Sequence, residues 1–108
     1  MKTSFIGRWR IVAMEQWDQD YVDMDSPGHI TFKQGGAGQL HFGCVDAELD
    51  WRLEAGTERV EFTFSGFDEG DEVAGRGWAK ADGTCLTGRI TFHQGDESGF
   101  EAAKENRS

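Results

Sequence analysis

The residues best suited to chemistry in this chain are its three histidines, its two cysteines and a dense run of aspartates in the first third. His29, His41 and His93 stand far apart, in neither a His-x-His nor a His-Glu-x-x-His arrangement, so no local spacing presents two imidazoles to one metal. His93 stands close to Gln94, Asp96 and Glu97. An imidazole beside carboxylates at a strand end can act as a general base or bind a metal, and it can equally be a hydrogen-bonded polar turn. His41 shares a strand face with Gln39 and Gly43.

Asp18, Asp20, Asp23 and Asp25 invite a calcium reading. With Asp18 as the first position, an EF-hand needs an oxygen ligand where Val22 stands, a glycine at Asp23 and a bidentate glutamate at His29. The template fails, and a solvated acidic helical face is the simpler reading. Cys44 and Cys85 have no Cys-x-x-Cys spacing, no zinc-type partners and no basic sequence neighbour to activate a thiolate. They read as reduced thiols, with one disulfide left open if they fall on neighbouring strands. No Gly-x-Ser-x-Gly elbow occurs, and Gly75-Arg76-Gly77 lacks the Gly-Lys-Ser/Thr of a phosphate loop. Carboxylate pairs formed in space leave no linear trace. No catalytic residue, metal or cofactor is therefore assigned.

The aromatic residues carry more. Met14, Trp17, Tyr21 and Met24 are spaced three, four and three, a helical stripe with acids in its gaps. Trp17 and Tyr21 are expected to plug one end of the fold. Trp9 and Trp51 fall on apolar faces and read as core. Trp78 has two placements. If Val73, Gly75, Gly77 and Ala79 face inward, then Arg76, Trp78 and Lys80 face out and form a partner surface. If Trp78 faces inward, Arg76 follows it and becomes a buried cation near rings. Small residues suit a crowded interior, which favours the outward placement. The candidate ligand residues are Trp17, Asp20, Tyr21, Arg76, His93 and Asp96, and the candidate interface is Trp78 with Arg76.

The elements that must position these groups are strands. Apolar and polar residues alternate over 5–13, 29–34, 39–45, 46–53, 59–67, 72–80, 85–93 and 98–103. Turn residues separate them: Ser26-Pro27-Gly28, Gly35-Gly36-Ala37-Gly38, Glu54-Ala55-Gly56-Thr57, Asp68-Glu69-Gly70-Asp71, Ala81-Asp82-Gly83 and Gln94-Gly95-Asp96. The tail from Lys104 to Ser108 reads as frayed. About eight antiparallel strands in meander order invite closure, because closure removes both exposed edges. The expected fold is an all-β closed barrel with one short helical turn after strand one. Such a barrel is just wide enough to be filled by side chains or to hold one small ligand.

Bulk properties agree. The 108 residues suit a single domain, and four Trp and eight Phe supply large rings for its core. A net charge of −9 repels nucleic acid and anionic lipid, and no Lys/Arg cluster appears in the sequence. Neither nucleic acid nor membrane is expected as a partner. The opening Met1-Lys2-Thr3-Ser4-Phe5-Ile6 lacks the apolar core of a signal peptide, so a bacterial cytoplasmic location is the expectation.

Gly7-Arg8-Trp9 resembles the Gly-x-Trp opening of calycin barrels (lipocalins, fatty-acid-binding proteins, avidins), in which the tryptophan closes one end. More broadly, Trp17-Asp18-Gln19-Asp20-Tyr21, Phe42-Gly43, Ser65-Gly66, Gly75-Arg76-Gly77-Trp78-Ala79 and Phe92-His93-Gln94-Gly95-Asp96-Glu97-Ser98 resemble a family of small bacterial proteins. That resemblance implies a small β-domain and no particular activity. The chain lacks the long first loop and the disulfides of secreted lipocalins, which argues against carriage of a large hydrophobic ligand. Three readings stay open: a small-molecule binding module, a homodimer or other homo-oligomer acting through its surface, and an enzyme using rim residues around His93.

Overall fold

The alternating segments pair in the order in which the chain presents them. In the computed structural model, which describes residues 6–54 and 59–105, the strands are β1 (Gly7–Met14), β2 (His29–Phe32), β3 (Ala37–Phe42), β4 (Val45–Leu53), β5 (Arg59–Asp68), β6 (Asp71–Asp82), β7 (Cys85–Phe92) and β8 (Glu97–Lys104). A single helical turn, α1 (Gln19–Val22), follows β1. Each strand is antiparallel to the next, and β8 returns to β1, so the sheet closes into an eight-stranded barrel. The barrel joint pairs Trp9 with Lys104 and Ile11 with Ala102, with a register shift between Ile11 and Ala13. The expected meander barrel with one helical turn after strand one is the observed fold. The expected start of strand one at Phe5, the turn residues 55–57 and the tail residues 106–108 lie outside the described residues.

The barrel interior is filled by rings set against glycines. On β6 and β7, Gly75, Gly77 and Gly88 face inward, and in register with them stand Phe64, Phe62 and Phe100. A Cβ on any of the three would lie 2.7 Å from the partner ring and 2.1–2.4 Å from a carbonyl oxygen of the next strand. The missing side chains thus make room for the rings and let the strands coil tightly. Phe62 in turn meets Phe32 at 6.1 Å between centroids. Trp9, Phe32, Phe42, Leu40, Leu86 and Ile90 are at most 2% exposed. Each fully buried large side chain of this kind contributes about 1.5–3 kcal/mol to folding. Val73, Gly75, Gly77 and Ala79 point inward, and Trp78 stands on the outer wall, opposite Glu61 and Arg89.

Two expectations change in detail. The helical stripe is shorter than its spacing suggests: Met14 ends β1, only Gln19–Val22 is helical, and Met24 is 55% exposed. Asp18 explains the abrupt start, since its carboxylate accepts from the Tyr21 N–H at 3.0 Å as an N-cap. Cys44 lies in the β3–β4 turn and Cys85 opens β7, so they are not on neighbouring strands, and both are free thiols. No helix among the described residues is long and apolar enough to cross a membrane.

Candidate functional site

Meander closure sorts the loops. Every connection from an odd to an even strand falls at one end: residues 15–28 with α1, then 43–44, 69–70 and 93–96. The first of them, 15–28, carries Trp17 and Tyr21 together with five acids. The topology therefore gathers segments from four distant stretches of sequence around one mouth.

The floor of that mouth is aromatic. Trp17 packs on the buried Phe42 at 5.1 Å between centroids and meets Phe92 edge-on at 6.2 Å. Tyr21 stacks beside Trp17 at 6.3 Å, and Phe92 is held from below by Phe64 at 5.2 Å. Trp17, Tyr21 and Phe92 each keep part of their surface in solvent. Three backbone and side-chain locks hold this ledge. Ser98, fully buried, accepts from the Gln16 N–H at 3.1 Å and donates to the Gly99 carbonyl at 2.8 Å. Glu15 accepts from the Gly99 N–H at 3.1 Å. Gly43 donates to the Val22 carbonyl at 2.9 Å, tying α1 to the β3–β4 turn.

Around the ledge opens a depression of about 1190 Å³. Its lining carries five carboxylates, Asp46, Glu48, Asp68, Glu72 and Asp96, with His93 and no lysine or arginine among the described residues. Two neutral acids at the mouth are raised in pKa, first by desolvation and then by the carboxylates nearby. Burial pushes the Tyr21 hydroxyl up in pKa, against a hydrogen bond from the Cys44 backbone, and the charges of Asp68 and Glu69 push the same way. Desolvation also raises the Cys44 thiol, whose Sγ donates to Glu69 at 3.4 Å, and Asp68 and Asp25 add to the shift. Both groups stay protonated at neutral pH, so Cys44 is a poor thiolate nucleophile.

Of the candidate ligand residues, Trp17, Tyr21, His93 and Asp96 come together here. Asp20 sits exposed on α1, outside the lining. Arg76 is outside that lining, on the barrel wall, in a smaller groove of about 480 Å³ that also contains Trp78. There the outward rows of β4 to β7 bring Arg52, Arg59, Arg76 and Arg89 around one indole, with the Arg59 guanidinium 4.4 Å from its centroid. No linear basic cluster exists, yet pairing across strands creates one. Asp50, Glu61 and Glu97 are interspersed, and Arg89 is bound by Glu97 and by Glu15 at 3.3 Å. That pairing raises the Arg89 pKa, the Glu97 hydrogen bond being the largest cause. Among the described residues, no group of three or more His, Cys, Asp or Glu could hold a metal ion.

The sequence reading missed Asp46, Glu48, Asp68 and Glu72. Each occupies a strand end or an ordinary outward polar position, and only the topology brings them into the lining of one depression. No family model, no curated protein and no solved structure matches this chain.

Proposed function

We propose that the protein is a small-ligand binding module whose ligand, a small organic cation, rests on Trp17, Tyr21 and Phe92 at the barrel mouth. The observation that carries this is the pairing of a partly exposed aromatic ledge with five carboxylates and no lysine or arginine in the lining among the described residues. Ring faces attract a cation by about 0.5–2 kcal/mol, more as water is displaced. Carboxylates at the rim raise the local concentration of cations and reject anions. The glycine-seated rings inside the barrel leave the mouth, rather than the lumen, as the place for a ligand.

Kinship with calycin barrels is part of the same reading. Trp9 of the Gly7-Arg8-Trp9 motif is fully buried near the end opposite the mouth, with the Lys104 ammonium 4.8 Å from its ring centroid. It closes that end, leaving one end for binding. The test is titration with choline, followed through the Trp17 indole N–H and the amides of residues 93–96. Saturable shifts in the native protein, lost in Trp17→Ala and weakened in Asp68→Asn, support the proposal. Shifts that survive Trp17→Ala overturn it.

A second reading, homodimerisation through the wall, is favoured by one observation. Trp78 and arginines are the residue types that anchor interfaces, and here they share one groove with carboxylates of opposite sign. A two-fold interface needs such self-complementary charge. Native mass spectrometry of the wild type and of Trp78→Ala separates a dimer anchored there from a monomer.

A further inference from the structure

His41 is the penultimate residue of β3, and its side chain points to the outside of the barrel, between the buried Leu40 and Phe42 that point in. It is nonetheless only 7% exposed. Residues 23–28 fold over it, held by the Asp23 carboxylate, which accepts from the Gly28 N–H at 2.8 Å. His29 of β2 and Asp46 of β4 flank it in register. The His29 ring stacks on His41 at 5.6 Å and 27°, which fixes the imidazole plane.

The result is a row of polar side chains across one imidazole. The Ser26 Oγ lies 3.0 Å from His41 Nε2. The Asp46 Oδ1 lies 3.5 Å from His41 Nδ1, an ion-pair distance rather than a tight hydrogen bond. Nucleophile, base and orienting carboxylate thus meet the two imidazole nitrogens in the order that nucleophilic hydrolysis requires. Three separate segments supply them, so no sequence spacing announces it.

We infer that Ser26 is a nucleophile activated by His41 and positioned through Asp46, and that the site accepts activated acyl groups such as those of aryl esters. The Ser26 oxygen bonds to the carbonyl carbon as its proton passes to His41 Nε2. The carbon–aryloxide bond breaks, and the aryloxide leaves with the electron pair and takes the proton from Nε2. Water then hydrolyses the acyl-serine, giving a carboxylic acid and restoring Ser26. A good leaving group is required because the two backbone positions after Ser26 offer no oxyanion donor. Pro27 has no N–H, and the Gly28 N–H is committed to Asp23. Phe67, 53% exposed and opposite Asp46 in register, offers apolar surface for the acyl or aryl group. Asp25, whose Oδ2 is 3.7 Å from Nε2, competes with Ser26 for that nitrogen.

A fluorophosphonate probe tests this on the intact protein. The Oγ–P bond forms, fluoride leaves, and His41 takes the proton. Mass spectrometry is expected to place the label on Ser26, far faster than on the exposed Ser65. His41→Gln is expected to slow labelling about 100-fold or more, the lower range of general-base effects. Asp46→Asn is expected to shift the midpoint of the labelling pH profile, with Asp25, Asp46 and His29 as the titrating groups facing His41. A merely structural Asp46 leaves that midpoint in place and removes Asp46 from the row. Labelling of wild-type Ser26 no faster than Ser65 overturns the inference without recourse to any variant.

Discussion

The Tyr21 ring stands where a side chain on Gly43 would be: a Cβ there would lie 2.3 Å from two ring carbons and 2.7 Å from the hydroxyl oxygen. Gly43 also has φ +58°, in the left-handed region. The β3–β4 turn therefore fixes where α1 and its tyrosine sit. Gly43→Ala is expected to displace Tyr21 as well as to incur about 1 kcal/mol of backbone strain. The melting temperature is expected to fall, and the Trp17 fluorescence maximum to shift red as its neighbour moves. An unchanged spectrum contradicts this account of the ledge.

The ring-on-glycine pairs make a sharper contrast. At Gly77 a Cβ would meet the Arg89 carbonyl oxygen at 2.4 Å and the Phe62 ring at 2.7 Å, whereas at Gly83 nothing lies within 4 Å. Overpacking of this kind costs about 1–3 kcal/mol or more. Gly83→Ala meets only the penalty of its φ of +65°. Chemical denaturation is expected to rank Gly77→Ala well below Gly83→Ala in stability, and equal losses contradict the packing described.

Asp23 ties the loop over His41 to the barrel. A hydrogen bond from the Gln19 amide, the first cause, and one from the Gly28 N–H hold its carboxyl below the usual range, with Arg10 adding to the effect and desolvation opposing it. A carboxylate depressed in the folded state stabilises that state above its unfolded pKa, near 3.9. The contribution fades as pH falls through the lower folded value. Asp23→Asn is therefore expected to melt below wild type at pH 7, with the gap closing towards pH 3. A gap that widens on acidification has the wrong sign for this role.

The two thiols are expected to differ in reactivity. Cys44 is half-buried, raised in pKa by desolvation and by Glu69, while Cys85 is exposed. Iodoacetamide at pH 8 is expected to alkylate Cys85 first, as read by peptide mass spectrometry. Faster alkylation of Cys44 contradicts the desolvation and the Glu69 contact that hold its thiol protonated.

Much of the fold was legible because each strand alternates and each turn carries Gly, Asp or Asn-like chemistry. The rows Ala47, Leu49 and Trp51 and Val60, Phe62 and Phe64 predicted both the strands and their inward faces. The stripe through Met14 and Met24 overreached, because the Asp18 cap starts the helix late and the Asp23 carboxylate is committed to Gly28 just past its end. The site was half legible. Trp17, Tyr21, His93 and Asp96 stand out by residue type, but the rim carboxylates and the Ser26–His41–Asp46 row exist only once strands pair. Arg76 lies in the wall groove with Trp78 rather than in the mouth lining, a placement that linear order does not carry, because it does not say which part of a barrel a residue reaches.

The most direct test of the central claim compares choline with 3,3-dimethylbutan-1-ol, its uncharged isostere, by two-dimensional NMR. Choline is expected to shift the Trp17 indole N–H and the amides around Gly43 and Gly95 saturably, with Trp78 unmoved, while the isostere at equal concentration leaves them in place. Equal shifts from both compounds, or shifts centred on Trp78, would contradict a cation site at the mouth.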